Sequence, residues 1–232
     1  MKICVIIPTL NEEKNILKIL NKIKNTNIKL DILFIDDNSA DKSQDIIKDL
    51  GKNFKFINYI FRHNKIGIGS AHKEGIKYCY KNKYDLIITM DADGTHDPKY
   101  FKKMITAAKS FDYVITSRFA KPGLIKDWPL SRKLITYARH TLVQFFLEMN
   151  YDASGAYRCF FRKKIKLKDI LSASNNDYAF FWEITYIIKN KGYIINEVPV
   201  QLIYRKLGKS KMKIKHILFS LFYLFKIFAL NK

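Results

Sequence analysis

The chain has 232 residues, 48% of them hydrophobic, and a formal net charge of +21 from 42 Lys/Arg against 21 Asp/Glu. That apolar content excludes a disordered polymer, and the length suits one generous domain with a substantial core. Cys4, Cys79 and Cys159 lie far apart, with no C-x-x-C and no histidine at ligand spacing. They exclude a zinc site and read as reduced, mostly buried thiols of a cytoplasmic chain.

Met1-Lys2 runs directly into the apolar stretch Ile3–Ile7, so no signal peptide is expected. Strand-like runs at about 3–7, 31–36, 54–61, 84–90 and 112–117 alternate with helix-like segments at about 12–25, 42–50, 68–82 and 98–109. Short connections between them predict an α/β, Rossmann-like fold, a mostly parallel sheet with helices on both faces. Ligands of such sheets bind beyond the carboxyl ends of the strands. Those ends are Pro8-Thr9-Leu10-Asn11-Glu12, Asp36-Asp37-Asn38-Ser39 and Asp91-Ala92-Asp93, which the topology brings to one edge of the sheet.

The second half is less regular: a loop over 120–129, a helix at about 131–148, a strand near 156–161, a helix at about 178–190 and a strand-like run at 193–204. No break in composition separates the halves. Residues 1–110 hold 20 Lys/Arg against 13 Asp/Glu, residues 111–232 hold 22 against 8, and no acid follows Glu197. A Lys-, Asn- and Ile-rich chain can drift basic through composition alone. The crowding of Arg205, Lys206, Lys209, Lys211, Lys213 and Lys215 nonetheless favours a polyanion, either nucleic acid or an anionic membrane.

Ile217–Leu230 is almost wholly apolar, with Ser220, Tyr223 and Lys226 as a narrow polar stripe extended by His216. Fourteen helical residues span about 21 Å, short of a bilayer core of about 30 Å. An amphipathic helix in the membrane interface fits that length, as do a helix capping the core and a face for a membrane-embedded partner subunit.

Met90-Asp91-Ala92-Asp93-Gly94-Thr95 carries the strongest chemical signal. Two carboxylates one residue apart at a strand end are costly unless a cation sits between them, and hard oxygens suit Mg²⁺ or Mn²⁺. Ordinary turn chemistry also produces Asp-x-Asp-Gly.

Ile7-Pro8-Thr9-Leu10-Asn11-Glu12, Ile35-Asp36-Asp37-Asn38-Ser39 with Asp41, Gly67-Ile68-Gly69-Ser70-Ala71 and Met90-Asp91-Ala92-Asp93 occur in order. Downstream come Thr116-Ser117-Arg118-Phe119, Ser131-Arg132-Lys133, Asp152 to Arg158, Glu197-Val198-Pro199-Val200 and Arg205 to Lys211. The set resembles the family 2 glycosyltransferases of GT-A fold, and among them the dolichol-phosphate and polyprenyl-phosphate mannosyltransferase group. The resemblance runs from residue 3 to about 215. It implies a transferase domain over 1–212 with a basic and apolar tail at 213–232. It also implies a nucleotide-sugar donor, with GDP-mannose first and UDP-sugars open, a Mg²⁺ or Mn²⁺ cofactor and a lipid-phosphate acceptor.

By position, the resemblance implies that Pro8, Leu10, Glu12, Ile35 and Asp37 hold the nucleotide, with Asp91, Ala92 and Asp93 at the diphosphate and metal. Arg118, Arg132, Arg205 and Lys211 handle phosphate groups, and Asp93, Arg118 and Arg132 carry the catalysis. Thr95 stands where the family has a glutamine near the metal, and Leu10 where an aromatic is common.

The chemistry is coherent with that list. A metal at Asp91 and Asp93 neutralises a leaving diphosphate, and a lipid phosphate, already ionised, needs no general base. A single inverting displacement is expected, with positioning supplying much of the rate. Each residue has a plainer reading as well. Asp37 can cap a helix, and Glu12 can serve as a first-turn acid. Gly67-x-Gly69-x-x-His72 lacks the third glycine of a dinucleotide fingerprint and reads as a helix start needing small residues. His63 and His140 read as structural or exposed.

Two other functions compete. A family 2 transferase acting on a saccharide hydroxyl would need a base, with Asp127, Asp152 or Asp177 available. A nucleic-acid-binding protein would explain the charge but leave Asp37, Asp91 and Asp93 unexplained, and the chain lacks a sheet-platform stacking motif, so no nucleic-acid partner is expected.

Overall fold

The structure is a computed structural model that describes residues 1–122, 124–125, 128–203, 211 and 214–230. In chain order its elements are β1 (Ile3–Thr9), α1 (Glu13–Lys24), β2 (Asp31–Asp36), α2 (Ser43–Asn53), β3 (Ile57–Phe61), α3 (Ile68–Lys81) and β4 (Leu86–Thr89). There follow α4 (Phe101–Ser110), entered through a 3₁₀ turn at Pro98–Tyr100, β5 (Tyr113–Ser117), α5 (Leu130–Leu147), β6 (Arg158–Phe161), α6 (Leu167–Leu171), α7 (Phe180–Asn190), β7 (Ile195–Pro199) and α8 (Ile214–Leu230).

The strands form one seven-stranded sheet in the order β3-β2-β1-β4-β6-β5-β7. β3, β2, β1 and β4 are mutually parallel, as the βα alternation requires. β6 runs antiparallel to both β4 and β5, with Cys159 opposite Ile88 and Val114, and β7 pairs parallel with β5. The sheet is therefore mostly parallel, as expected, with β6 the reversed strand among the described residues, and the short helix α6 was not foreseen from the sequence. β6 is only four residues long and arrives from α5, so nothing in its local pattern encodes its direction.

Alternate residues of β1 point to opposite faces. Ile3, Val5 and Ile7 join the core under α1, α2 and α4, whereas Cys4 and Ile6 join the core under α3, α6 and α7. Pro8 lies past the last pairing of β1 with β4, where a missing N–H is tolerated. A third cluster unites α5, α7 and α8 through Val143, Leu147, Trp182 and Leu224.

That cluster reveals the orientation of α8. Ser220 accepts a hydrogen bond from Trp182 Nε1 at 3.1 Å, and Tyr223 donates to buried Glu183 Oε1 at 2.8 Å, with Ser174 alongside. The polar stripe thus faces the domain, except for exposed Lys226. Leu218, Phe219, Phe222 and Phe225 face outward.

Candidate functional site

Three strand-to-helix turns form the floor of the site, and each contains a left-handed residue: Asn11 (φ 52°) after β1, Asn38 (φ 62°) after β2 and Gly94 (φ 80°) after β4. Asparagine and glycine reach that conformation at least cost, so the chain can turn sharply and present its next polar groups. Asp36, fully buried, ties the first two turns together. It accepts from Thr9 Oγ1 (2.7 Å), Ser39 N (2.8 Å), Ser39 Oγ (2.6 Å) and Gln44 Nε2 (2.8 Å).

Asp37 is also partnered: its oxygens accept from the backbone N–H groups of Ile66 and Gly67, each at 3.1 Å, and Arg62 Nε lies 3.4 Å away. Gly67 adopts φ +115°, and a Cβ there would stand 2.5 Å from the carbonyl oxygen of Asn176. The glycine pair at the start of α3 therefore satisfies a packing demand. Glu12 accepts from Asn15 Nδ2 at 2.6 Å and from Lys211 Nζ at 3.0 Å, which brings the tail's lysine to the β1 turn.

At the end of β4, Asp93 Oδ1 accepts from Thr95 N (3.0 Å) and Thr95 Oγ1 (2.7 Å). Thr95 thus orients the carboxylate. His96, 3% exposed and stacked on Tyr157, accepts the Asp91 N–H through Nδ1 at 2.9 Å. Burial holds this imidazole down to about 4, so it is neutral and its Nδ1, as the acceptor, fixes the Asp91 N–H.

Opposite the acids stands a basic wall. Arg118, 7% exposed, donates from Nε (2.7 Å) and Nη2 (3.0 Å) to Asp152 and from Nη2 to Ser154 Oγ (2.8 Å). Burial pushes the Asp152 carboxyl up, but the charge and hydrogen bonds of Arg118 outweigh it and hold the group below the usual range. The Asp152 N–H in turn donates to Glu197 Oε1 at 2.6 Å. Arg132, in the first turn of α5, lies over the Trp128 ring at 5.9 Å, with Arg118 6.0 Å from the same ring.

All these walls face one cavity of about 580 Å³. It is lined by Pro8, Leu10, Glu12 and Asp37 from the first two turns and by Asp91, Ala92, Asp93 and Thr95 from the third. Arg118, Arg132 and Lys211 complete the expected residues that it unites. Ile35 is not among the lining; its side chain is fully buried in the core. Arg205 lies outside the described residues, as does Asp127. Of the other bases considered, Asp152 is locked to Arg118, and Asp177 lines the cavity. His140 is half-buried and stacked on Phe119 at 4.0 Å, and His63 is exposed.

Thr136 and Arg139 also line the cavity and were not singled out from the sequence. Their signal was available: they follow Arg132 at intervals of four and three residues, one face of a helix.

Asp91 and Asp93 make a chemically suitable donor pair for Mg²⁺ or Mn²⁺, which bind through one or two carboxylates plus substrate phosphates and retained waters. Among the described residues no group of three or more acidic, histidine or cysteine side chains forms a complete protein cage. A site completed by a ligand's phosphates is the one this donor set fits.

Residues 4–170 match the family model for glycosyl transferase family 2. The chain is 30% identical over 213 residues to the undecaprenyl-phosphate mannosyltransferase of Micrococcus luteus, covering 91% of this chain and 88% of that one. It is 28% identical over 221 residues to the polyprenol monophosphomannose synthase of Mycolicibacterium smegmatis, covering 94% and 83%. Among solved structures, glucosyl-3-phosphoglycerate synthase from Mycobacterium tuberculosis, in complex with Mn²⁺, UDP and glucosyl-3-phosphoglycerate, superposes with a TM-score of 0.61 at 14% identity, covering 96% of this chain and 79% of that one. That likeness establishes a shared GT-A fold. With the ordered motifs gathered on one cavity and the family model spanning most of the chain, this protein belongs to glycosyl transferase family 2.

Proposed function

We propose that the protein is a hexosyltransferase that moves a sugar, mannose first, from a nucleoside-diphosphate donor to a polyprenyl phosphate, with inversion at the anomeric carbon. The carrying observation is that one cavity sets the Asp91/Asp93 pair against a cationic wall on α5. The names of the two relatives, both polyprenyl-phosphate or polyprenol-phosphate mannosyl enzymes, support the same acceptor class.

In this reading Pro8, Leu10, Glu12 and Asp37 hold the nucleotide, with GDP the first choice, and Ile35 acts only through its backbone. Asp91 and Asp93 hold Mg²⁺ or Mn²⁺, which when bound neutralises charge on the departing diphosphate. The Mn²⁺ in the solved structural neighbour is consistent with that choice. Thr95 acts through Asp93. An acceptor phosphate oxygen attacks C1 as the bond from C1 to the diphosphate oxygen breaks, and the nucleoside diphosphate leaves with that electron pair. The attacking phosphate is an anion, so no proton must be removed. Arg132 orients it, and Arg118, held by Asp152, gives that wall a fixed positive field. Arg205 and Lys211 complete the phosphate-handling set.

Residues 1–212 form the transferase domain in this reading, and the tail 213–232 meets the membrane surface. α8 has 17 residues, about 25 Å, and no helix among the described residues is long and apolar enough to cross a bilayer. Its outward Phe219, Phe222 and Phe225, together with Phe145 exposed on α5, suit a lipid interface. Neither α5 nor α8 contains an acid.

The test is a split assay on Arg132→Gln. Turnover of a short polyprenyl phosphate should fall while donor-nucleotide binding is retained. Equal loss of both would remove Arg132 from the acceptor side.

A further inference from the structure

α5 carries Arg132, Thr136 and Arg139 on one cavity-facing side. Arg139 Nη2 donates to Ser154 Oγ at 2.6 Å, the same oxygen that takes Arg118 Nη2 at 2.8 Å. Two guanidiniums therefore meet at one hydroxyl. The adjacent carboxylate, Asp152, is occupied by Arg118 through both Nε and Nη2. Arg139 Nε is buried and has no hydrogen-bond partner among the described residues.

A guanidinium that served only to hold the fold would be matched with an acceptor, because an unpaired buried donor on a cation is costly. Burial, reinforced by the charge of Arg118, lowers the pKa of Arg139 to about 10, which leaves it protonated at neutral pH. Its charge has a local surplus of cations around it and a cavity in front of it.

We propose that Arg139 is a phosphate-binding residue that grips the acceptor's phosphate monoester from the far end of the α5 wall, with Arg132 at the near end. Turning off Ser154 toward the cavity gives Nε its missing acceptor and forms a charge-assisted contact. Ser154 is then the resting partner that keeps the guanidinium poised while the cavity is empty of acceptor. This rests on the lipid-phosphate reading of the cavity.

The test compares wild type, Arg139→Lys and Arg139→Gln with GDP-mannose and farnesyl phosphate in Mn²⁺, alongside thermal melts with and without inorganic phosphate. Arg139→Gln should raise the KM for farnesyl phosphate about 10-fold or more, Arg139→Lys less, with donor KM and GDP affinity within about 2-fold of wild type. The phosphate-induced rise in melting temperature should shrink in Arg139→Gln. A merely structural role would lower the melting temperature equally with and without phosphate and leave the acceptor KM in place, which overturns the proposal. A rise in donor KM alone also overturns it, by assigning Arg139 to the diphosphate. If wild type transfers nothing to any lipid phosphate, the transfer reading fails, and the phosphate-dependent melt then decides for Arg139: equal shifts in wild type and variants reject it. Should Arg139→Gln not fold, Arg139→Lys carries the same comparison.

Discussion

Replacing Asp152 with asparagine tests whether the basic wall is built on a buried ion pair. Asp152 is 2% exposed and accepts from Arg118 N (3.0 Å), Arg118 Nε (2.7 Å), Arg118 Nη2 (3.0 Å) and Ser154 Oγ (3.2 Å). Asparagine keeps the volume but removes the charge, leaving Arg118 buried beside Arg139 with no carboxylate. Breaking such a pair from one side costs about 3–5 kcal/mol. At about 2–4 °C per kcal/mol for a domain of this size, the melting temperature should fall by roughly 6–20 °C. The double variant with Arg118→Met should recover part of that loss, because both buried charges are gone. The pH dependence has a fixed sign. The Asp152 pKa is lowered in the folded protein, so its stabilisation is fully present above the ordinary carboxylate value of about 3.9 and is lost as pH falls through the folded value. Thermal and urea melts at pH 7 and at pH 2–3, below the ordinary carboxylate value, should therefore show the gap between wild type and variant narrowing in acid. A variant within about 1 kcal/mol of wild type at pH 7, or a gap that does not change with pH, would refute this reasoning.

Other outcomes are accessible with the same material. His72 is 1% exposed between Phe180 and Phe181, and burial, with Arg158 and His96 adding, holds it down to about 3. Its contribution is present above the ordinary histidine value of about 6.5 and is lost as pH falls toward the folded value, at about 1.4 kcal/mol per pH unit. His72→Phe should flatten the urea-midpoint profile between pH 4 and 6, and an unchanged slope counts against it. Phe222, 68% exposed on α8, should contribute to lipid binding. Phe222→Ser is expected to weaken co-sedimentation with anionic vesicles by about 10-fold or more without altering the fold, and unchanged sedimentation would remove α8 from the interface. Tyr223→Phe loses the bond to Glu183, about 1 kcal/mol, which should appear as faster amide exchange along α8.

Much of the architecture was legible because βα alternation is a local pattern. The strands from β1 to β5 and their helices follow from apolar periodicity, and the floor of the site follows from the rule that ligands sit at strand ends. The direction of β6 was not legible: a four-residue apolar strand pairs equally well either way, and the choice rests on where α5 delivers the chain. The partner of Arg118 was also hidden, since Asp152 is 34 residues away and an isolated aspartate reads as readily as a base as it does as a counter-ion. The polar stripe of α8 was visible, but its side was not. Ser220 and Tyr223 turn inward onto buried Trp182 and Glu183, and no local pattern on α8 records those partners. Arg139 could have been found by carrying the spacing of Arg132 two turns along α5.

The most direct measurement is a product analysis. The full chain is incubated with GDP-mannose, farnesyl phosphate and Mn²⁺ or Mg²⁺, with farnesol as the control acceptor, and the product is resolved by mass and anomeric configuration. The expected result is a single hexose added to farnesyl phosphate, with inverted configuration, none added to farnesol, and none without the divalent cation. Transfer to a saccharide or alcohol hydroxyl with no reaction on any polyprenyl phosphate, or retention of configuration, would contradict the account.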